Sequence, residues 1–291
     1  MLEFWVRSLD ASTIFFIDRL GVFFGQRSVI LNFSLHCVML FGATLGFITA
    51  QMTGSYLLGF IVGIAIGALL GVLHGFFSIT LGGDQVVSGM GIWILGFGLT
   101  TYMGSPFTGP LGMDRIPTIF GLSPFFFIGL VLTAVIWFVL TRTSLGLRIR
   151  SVGEDPTVAE VSGISVSKTR YLCVTLGGAF MGFAGAIYAL DYNPVWSYNF
   201  LLGWGFIALA LVFFSMWNPL IFLGGSFLFE IMWQLSLSPE LVLPGVLSRY
   251  VWRMVPFGIT LAVLLFMSTK RFRTRWGAAK PEALGQPYLK E

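Results

Sequence analysis

A long uncharged stretch limits the folds that this chain can adopt more than any other feature of the sequence. No Asp, Glu, Lys or Arg occurs from Ser28 to Gly83. A helix needs about 20 mostly apolar residues to cross a bilayer, so this stretch has room for two crossings. Only 10% of all residues are charged and 56% are hydrophobic, which excludes a soluble globule and a disordered chain. The sequence therefore predicts an all-α, polytopic membrane protein with a single transmembrane domain over residues 1–291.

Polar breaks and charges divide the apolar sequence into eight predicted transmembrane helices. The break 51–54 separates the first two, and the break 216–219 divides a later uncharged stretch. Residues 12–24 are a ninth candidate, but charges at the bilayer centre are costly. Asp18 and Arg19 therefore leave open whether that segment crosses the membrane or lies at its surface. The eight predicted spans are 28–50, 54–75, 86–103, 124–141, 171–190, 201–215, 219–235 and 252–269.

Basic residues gather in two places and set the expected orientation. Of the 17 Lys and Arg, five lie between Arg142 and Arg170, and six follow the last span. Basic residues near span ends mark the cytoplasmic face, and their place beside spans argues against nucleic-acid binding. Four predicted spans separate the clusters, so both can lie on one face. We expect a cytoplasmic loop at 142–169 and a cytoplasmic basic tail at 270–291, in a multi-pass protein of the cytoplasmic membrane.

Glycines recur every four residues in the second predicted span. At 3.6 residues per turn, this spacing places them in one stripe along a helix. Small residues in such a stripe let two helix backbones approach closely in lipid. The pattern predicts close helix packing, or a sliding interface in a transporter. The stripe contains Gly59, Gly63, Gly67 and Gly71, and Gly178 and Gly182 repeat the spacing in the span 171–190.

The sequence lacks the motifs of an enzyme that works alone. Ser88 has no Gly-x-Ser-x-Gly elbow around it, and no Gly-x4-Gly-Lys-[Ser/Thr] loop is present to bind ATP. We therefore expect no catalytic residue, no metal site and no cofactor. An ion-coupled carrier would need intramembrane acids or histidines, for which Glu230, His36 and Asp18 are candidates. That class stays an alternative.

The basic loop predicts a short capped helix outside the membrane. Asp155 suits the N-cap, Pro156 the first helical position, and Gly163 the C-terminal stop. A helix of about two turns is too short to be stable alone. We therefore expect other contacts to hold it.

Residues 145–164 resemble the coupling loop in the permease subunits of bacterial ABC importers. That family serves branched-chain amino acids, simple sugars and nucleosides, and its segment reads approximately Gly-Leu-Arg-Ile-Arg-Ala-Val-Gly-Glu-Asn-Pro. The resemblance implies that residues 154–163 dock in a groove of a partner ATPase and transmit its closure to the spans. The implied coupling residues are Arg148, Arg150, Gly153, Glu154, Asp155, Pro156, Ala159, Glu160 and Gly163.

Three further segments resemble the same family in the same order. Residues 31–43 depart from its pattern at His36 and Cys37, where the family has Glu and Gly. Residues 85–89 resemble the nucleoside-type branch, and residues 203–210 followed by Asn218-Pro219 resemble a third signature. Hydrogen bonds between helices are the alternative explanation for the polar residues among these. The implied substrate path contains Asn32, His36, Gln85, Ser88 and Trp204.

The resemblance implies the transmembrane subunit of an ATP-driven importer for a nucleoside or simple sugar. Such a subunit works by alternating access and is not itself an enzyme. The implied partners are two ABC ATPase domains or subunits that bind the ATP, a second permease, identical or homologous, and an extracytoplasmic substrate-binding protein. A branched-chain amino acid importer is the alternative within the family, and an ion-coupled carrier is the alternative outside it.

Overall fold

Helices form nearly all of the protein that the structure describes. The computed structural model describes residues 2–198, 200–201 and 219–237, and separate helical positions between 251 and 265. A short antiparallel ribbon joins β1 (Gly109–Pro110) to β2 (Val195–Trp196). The helices are α1 (Leu2–Arg27), α2 (Leu35–Thr53), α3 (Tyr56–Gly75), α4 (Gln85–Gly104), α5 (Pro124–Arg142), α6 (Ser144–Glu154), α7 (Pro156–Val161), α8 (Val166–Ile187) and α9 (Pro219–Leu237).

Five helices in the described part of the chain are long and apolar enough to cross a membrane. Two of them include a π-helical turn that continues α3 over Phe76–Thr80 and α8 over Tyr188–Tyr192. The five segments are Leu35–Thr53, Tyr56–Thr80, Gln85–Phe107, Pro124–Arg142 and Val166–Tyr192. The predicted span 201–215, apart from its first residue, and the tail 270–291 lie outside the described residues, and 252–269 is described only at separate positions. Helix α9, Pro219–Leu237, covers the predicted span 219–235.

The prediction that the first span begins at residue 28 is wrong. Val29 has a positive φ of 77°, and the Asn32 side chain accepts a hydrogen bond from the Ser34 amide at 2.8 Å. The Leu31 amide donates to the Gln85 side chain at 2.7 Å. These contacts hold residues 28–34 in a turn, so helix α2 begins only at Leu35.

The prediction that a later span begins at residue 171 is also wrong. Helix α8 begins at Val166, so Lys168 and Arg170 lie in its first turns rather than in a loop. The Arg170 side chain is buried. The helix therefore extends beyond the apolar segment that predicted it.

Helix α1 contains the segment that the sequence left undecided. It runs without a break over 26 residues, about 39 Å at 1.5 Å per residue. Residues 11–26 are all buried, whereas a helix lying on a membrane surface would keep one face exposed. Segment 12–24 thus packs within the bundle.

Helix α8 is the centre of the bundle and meets three helices backbone to backbone. A Cβ atom at Gly177 would lie 2.7 Å from the Gly21 carbonyl oxygen on α1. Cβ atoms at Gly42 on α2 and Gly67 on α3 would overlap the backbone of α8 at Gly182 and Gly178. Only residues without side chains allow this approach, which places backbone atoms in close dispersion contact.

The glycine stripe of α3 faces two helices. A Cβ at Gly63 would lie 2.7 Å from Ala186 of α8, and one at Gly71 would overlap the Val174 carbonyl oxygen. Gly59 instead faces α2, where its Cβ would lie 2.8 Å from the Gly46 carbonyl oxygen. The stripe therefore joins α3 to both α8 and α2.

The two ends of the bundle carry different elements. The end of α5, the start of α8 and the helices α6 and α7 lie at one end, which we call the α7 end. The β1–β2 ribbon, the start of α5 and the π-helical turn after α8 lie at the other, which we call the ribbon end. There the Leu111 amide donates to the Pro194 carbonyl at 2.9 Å, which extends the contact between the ribbon segments.

Candidate functional site

The segment between α5 and α8 forms two helices where the sequence predicted one. Thr143 caps α6, its side chain accepting from the Gly146 amide at 3.3 Å. Asp155 caps α7, accepting from the Thr157 and Val158 amides at 2.9 and 3.0 Å. Pro156 is the first residue of α7, and Gly163 follows the helix with a positive φ of 83°. Helix α6 was missed because its caps were not recognised.

The inner side of this segment is a small apolar cluster. Val152, Ala159 and Val166 are buried there, with Ile164 packed against them. Ala159 and Gly153, both implied as coupling residues, are buried. They therefore shape the segment from inside and do not face solvent.

The outer side of α7 exposes apolar side chains. Val158 is 61% exposed and Val161 is 86% exposed. Helix α7 thus presents two apolar side chains on its outer side. Neither valine was predicted from the sequence as a functional residue. The signal available was that a predicted helix of only two turns contains two valines, Val158 and Val161. Five implied coupling residues are exposed in the same segment: Arg148, Arg150, Glu154, Asp155 and Gly163.

A cleft of about 500 Å³ separates α6 from α7. Arg150 and Glu154 line it on the α6 side, and Val158 on the α7 side. The end of α1 is close by: burial lowers the pKa of the Arg27 guanidinium, while the negative charge of Glu154 raises it and the positive charge of Arg150 lowers it. The segment thus combines an apolar helix face with charges of both signs.

Ser88, an implied substrate-path residue, meets His74 in a polar cluster at the start of α4. The Ser88 hydroxyl lies 3.4 Å from His74 Nδ1 and 3.3 Å from the Ser78 hydroxyl. Gln85 accepts from the Leu31 amide, and Asn32 accepts from Ser34. Asn32 and Gln85 therefore both hold the turn before α2.

The other implied substrate-path residues are separate from this cluster or undescribed. His36 is buried near the start of α2, and Trp204 lies outside the described residues. His74 Nε2 lies 3.4 Å from the Ser78 hydroxyl, and the Ser88 hydroxyl also donates to the Gln85 carbonyl at 3.2 Å.

A polar cavity of about 510 Å³ opens at the ribbon end. Two carboxylates accept hydrogen bonds from Ser123 there. The Ser123 amide donates to Asp10 at 2.8 Å, and the Ser123 hydroxyl donates to Asp191 at 2.5 Å. Burial raises the pKa of the Asp10 carboxyl, the Ser123 amide lowers it, and the charge of Asp191 raises it. Arg115 and Trp233 also line the cavity. Sequence reasoning found none of these residues, because they come from four distant segments.

Charged residues are buried between α1 and α9. Glu230 is fully buried and accepts from Gln234 at 3.0 Å. The same Gln234 amide donates to the Tyr192 hydroxyl at 3.0 Å. Arg19 donates to Ser226 and interacts electrostatically with both Asp18 and Glu230. Asp18 and Glu230, the acids that were candidates for ion relays, therefore lie in a cluster that joins α9 to α1.

Known proteins similar to this chain are permeases. This chain is 35% identical to the ABC transporter permease TsgC13 of Haloferax volcanii, over 98% of this chain and 96% of that one. The name of TsgC13 assigns it provisionally to glucose. It is 31% identical to the guanosine ABC transporter permease NupQ of Bacillus subtilis, over 94% of this chain and 92% of that one. The nucleoside ABC transporter permease NupC of Lactococcus lactis is 30% identical, over 96% and 94% of the two chains.

A solved structure supports the same architecture. It is an inward-facing conformation provisionally described as a metal-chelate type ABC transporter, with a TM-score of 0.56 and 16% identity, over 91% of this chain and 85% of that one. The relatives in sequence are ABC permeases rather than ion-coupled carriers. A family model described as the permease component of the branched-chain amino acid transport system matches residues 5–264. The chain belongs to this family of membrane-embedded transport subunits.

Proposed function

We propose that this chain is the permease subunit of an ATP-driven importer for nucleosides or simple sugars. The exposed apolar face of α7 carries the proposal, because it gives the subunit a surface on which a separate ATPase can act. Val158 and Val161 form that face, and Asp155 fixes the start of the helix. ATP is bound by the partner ATPases, since no phosphate-binding loop occurs in this sequence.

The remaining partners follow from alternating access. Two ATPase domains close on ATP and move two α7 helices, one on this chain and one on a second permease. A substrate-binding protein delivers the solute at the ribbon end. ATP can drive uptake only if the affinity for the solute differs between the outward-open and inward-open states.

The proposed substrate class rests on the relatives and on polarity. Guanosine, nucleosides and glucose appear in the names of the three relatives. The cavity at the ribbon end offers carboxylates at Asp10 and Asp191 and a Trp233 ring. Hydroxyl-rich solutes can donate to carboxylates and stack on an aromatic face. The family description leaves a branched-chain amino acid as the alternative substrate.

Orientation follows from the same proposal. If α7 meets an ATPase, the α7 end is cytoplasmic and the ribbon end is extracytoplasmic. The coupling loop at 142–169 is then cytoplasmic, and so is the tail at 270–291 when the last predicted spans cross as expected. Single cysteines at Val161 and at Tyr198, both exposed, should be labelled by an impermeant thiol reagent from opposite sides.

The experiment reconstitutes the permeases, the ATPases and the binding protein in proteoliposomes. Radiolabelled guanosine, glucose and leucine are offered outside with ATP inside. We expect uptake of guanosine or glucose that needs ATP. Leucine uptake alone would favour the amino acid alternative, and uptake driven by an ion gradient without ATP would contradict the proposal.

Val161→Asp tests the docking face directly. A charge in an apolar contact loses its hydration without gaining a partner, so the ATPase should no longer co-purify. Val161→Ile, which stays apolar, is the matched control and should keep the complex intact. A Val161→Asp complex that assembles and transports normally would show that α7 is not the docking helix.

A further inference from the structure

Glu160 is turned toward its own chain, not toward the outer face of α7. One of its carboxylate oxygens, Oε2, accepts a hydrogen bond from the Val166 amide at 2.9 Å. That amide is the first of α8 and has no partner within its own helix. Ser165, at the N-cap of α8, makes no capping hydrogen bond with its side chain. A side chain from α7 thus binds the first turn of α8.

The four residues between these helices would not keep them in a fixed relation by themselves. Gly163 adopts a φ of 83°, a region that glycine enters without strain. The Gly163 amide donates to the Glu160 carbonyl, and the Ile164 amide donates to the Ala159 carbonyl, both at 3.0 Å. These bonds close the end of α7 but do not reach α8. The bond from Glu160 to Val166 does reach it.

Beyond Val166, α8 has little freedom to move alone. Its glycines meet the backbones of α1, α2 and α3, as at Gly177 and Gly182. At its far end the π-helical turn carries Asp191 and Tyr192, which line the cavity at the ribbon end. A displacement of the first turn of α8 is therefore a displacement of the whole helix and of that cavity wall.

We propose that Glu160 is a positioning residue that ties α7 to α8, so that movement of α7 is transmitted to the core of the bundle. This inference rests on the proposed function, and it changes the role of one implied coupling residue. Glu160 does not dock the ATPase; its carboxylate carries the motion onward. Val158 and Val161 contact the ATPase and move with it, and the hydrogen bond to the Val166 amide passes this displacement to α8.

Two conservative variants separate the effect of the length of the Glu160 side chain from the effect of its charge. Glu160→Gln keeps the length and an acceptor oxygen, so it should transport close to wild type. Glu160→Asp keeps the charge, but its side chain is one methylene shorter and should lose the Val166 amide. We expect Glu160→Asp to assemble with the ATPase and hydrolyse ATP, while the guanosine or glucose moved per ATP falls about fivefold, as for loss of one hydrogen bond. The opposite order, with Asp active and Gln inactive, would assign Glu160 to a charge contact and overturn the proposal.

A second pair of variants separates the connection between α7 and α8 from the capping of α8 alone. Glu160→Ala removes the bond, and adding Ser165→Asp restores a strong N-cap on α8 without connecting it to α7. We expect the double variant to stay uncoupled and Ser165→Asp alone to be coupled. Recovery of transport in the double variant would show that α8 needs only a cap, which contradicts the tie.

Two further variants keep the outcomes distinct. Thr169→Ala, which removes a local hydrogen bond to the Ser165 carbonyl, is the matched control and should transport normally. Val161→Asp tests the docking face itself. Loss of ATPase binding in Val161→Asp, with normal coupling in Glu160→Asp, would support the proposed function and reject this inference.

Discussion

Gly67 and Gly178 face each other so closely that a Cβ atom on either would overlap the carbonyl oxygen of the other. The two residues join α3 to α8, and no side chain separates the helices at this point. The contact can exist only while both positions are glycine. Neither helix could accept a methyl group here without moving the other.

Gly67→Ala should therefore lower the stability of the protein. Inserting a methyl group into a packed contact costs about 1–3 kcal/mol. The midpoint of thermal unfolding in detergent measures the loss. Gly91→Ala on α4 is the matched control, because no atom lies within 4 Å of a Cβ built there. Equal melting temperatures for the two variants would contradict the close contact.

Asp155→Ala should weaken α7 by about 1 kcal/mol, the usual value of an N-cap. The Asp155 carboxylate accepts two amide hydrogen bonds, and alanine accepts none. Transport per ATP in proteoliposomes should fall. Asp155→Asn keeps an acceptor oxygen and should retain coupling. If Asn behaves like Ala, the charge of Asp155 matters rather than its cap.

Asp10→Asn should remove part of the pH dependence of stability. Burial raises the pKa of Asp10, so the folded protein binds this proton more tightly than the unfolded chain does. Stability then falls as the pH rises from the ordinary pKa of an aspartate through the raised one. Asparagine keeps an oxygen for the Ser123 amide and does not titrate. Melting temperatures from about pH 4 to pH 8 should fall less steeply for the variant; parallel curves would contradict the assignment.

Replacing Arg19 should be far more damaging than neutralising Glu230. Arg19 is the cation among two buried acids, Asp18 and Glu230. Arg19→Met leaves both acids uncompensated and should cost about 3–5 kcal/mol, as for a broken buried ion pair. Glu230→Gln keeps an oxygen for Gln234 and leaves Arg19 with Asp18. The yield of monodisperse protein should fall for Arg19→Met only, and equal yields would show that the charges do not interact.

Local features could be predicted from the sequence. The cap at Asp155 and the stop at Gly163 need only neighbouring residues, so their residue types were sufficient. The glycine spacing of α3 is local in the same way. The sequence also predicted a helix over most of each described span.

Contacts between distant segments could not be predicted. The first span was placed too early because Gln85 holds Leu31 in a turn from another helix. The glycine stripe predicted a face but not its partners, which became clear only where Gly178 and Gly46 meet it. Glu160 was grouped with docking residues, since nothing in its neighbours indicates that its carboxylate reaches Val166.

The backbone contacts around α8 also limit where this protein can diversify. A helix in contact with three others through glycine backbones leaves no side chains there to exchange, so its surroundings are fixed in composition as well as in spacing. Helix α4 differs in this respect, because Cβ atoms at its Gly91 and Gly98 would meet no neighbour within 4 Å. Substitutions that accumulate in such a subunit are therefore expected along α4 before they appear in the core, which has to stay the same.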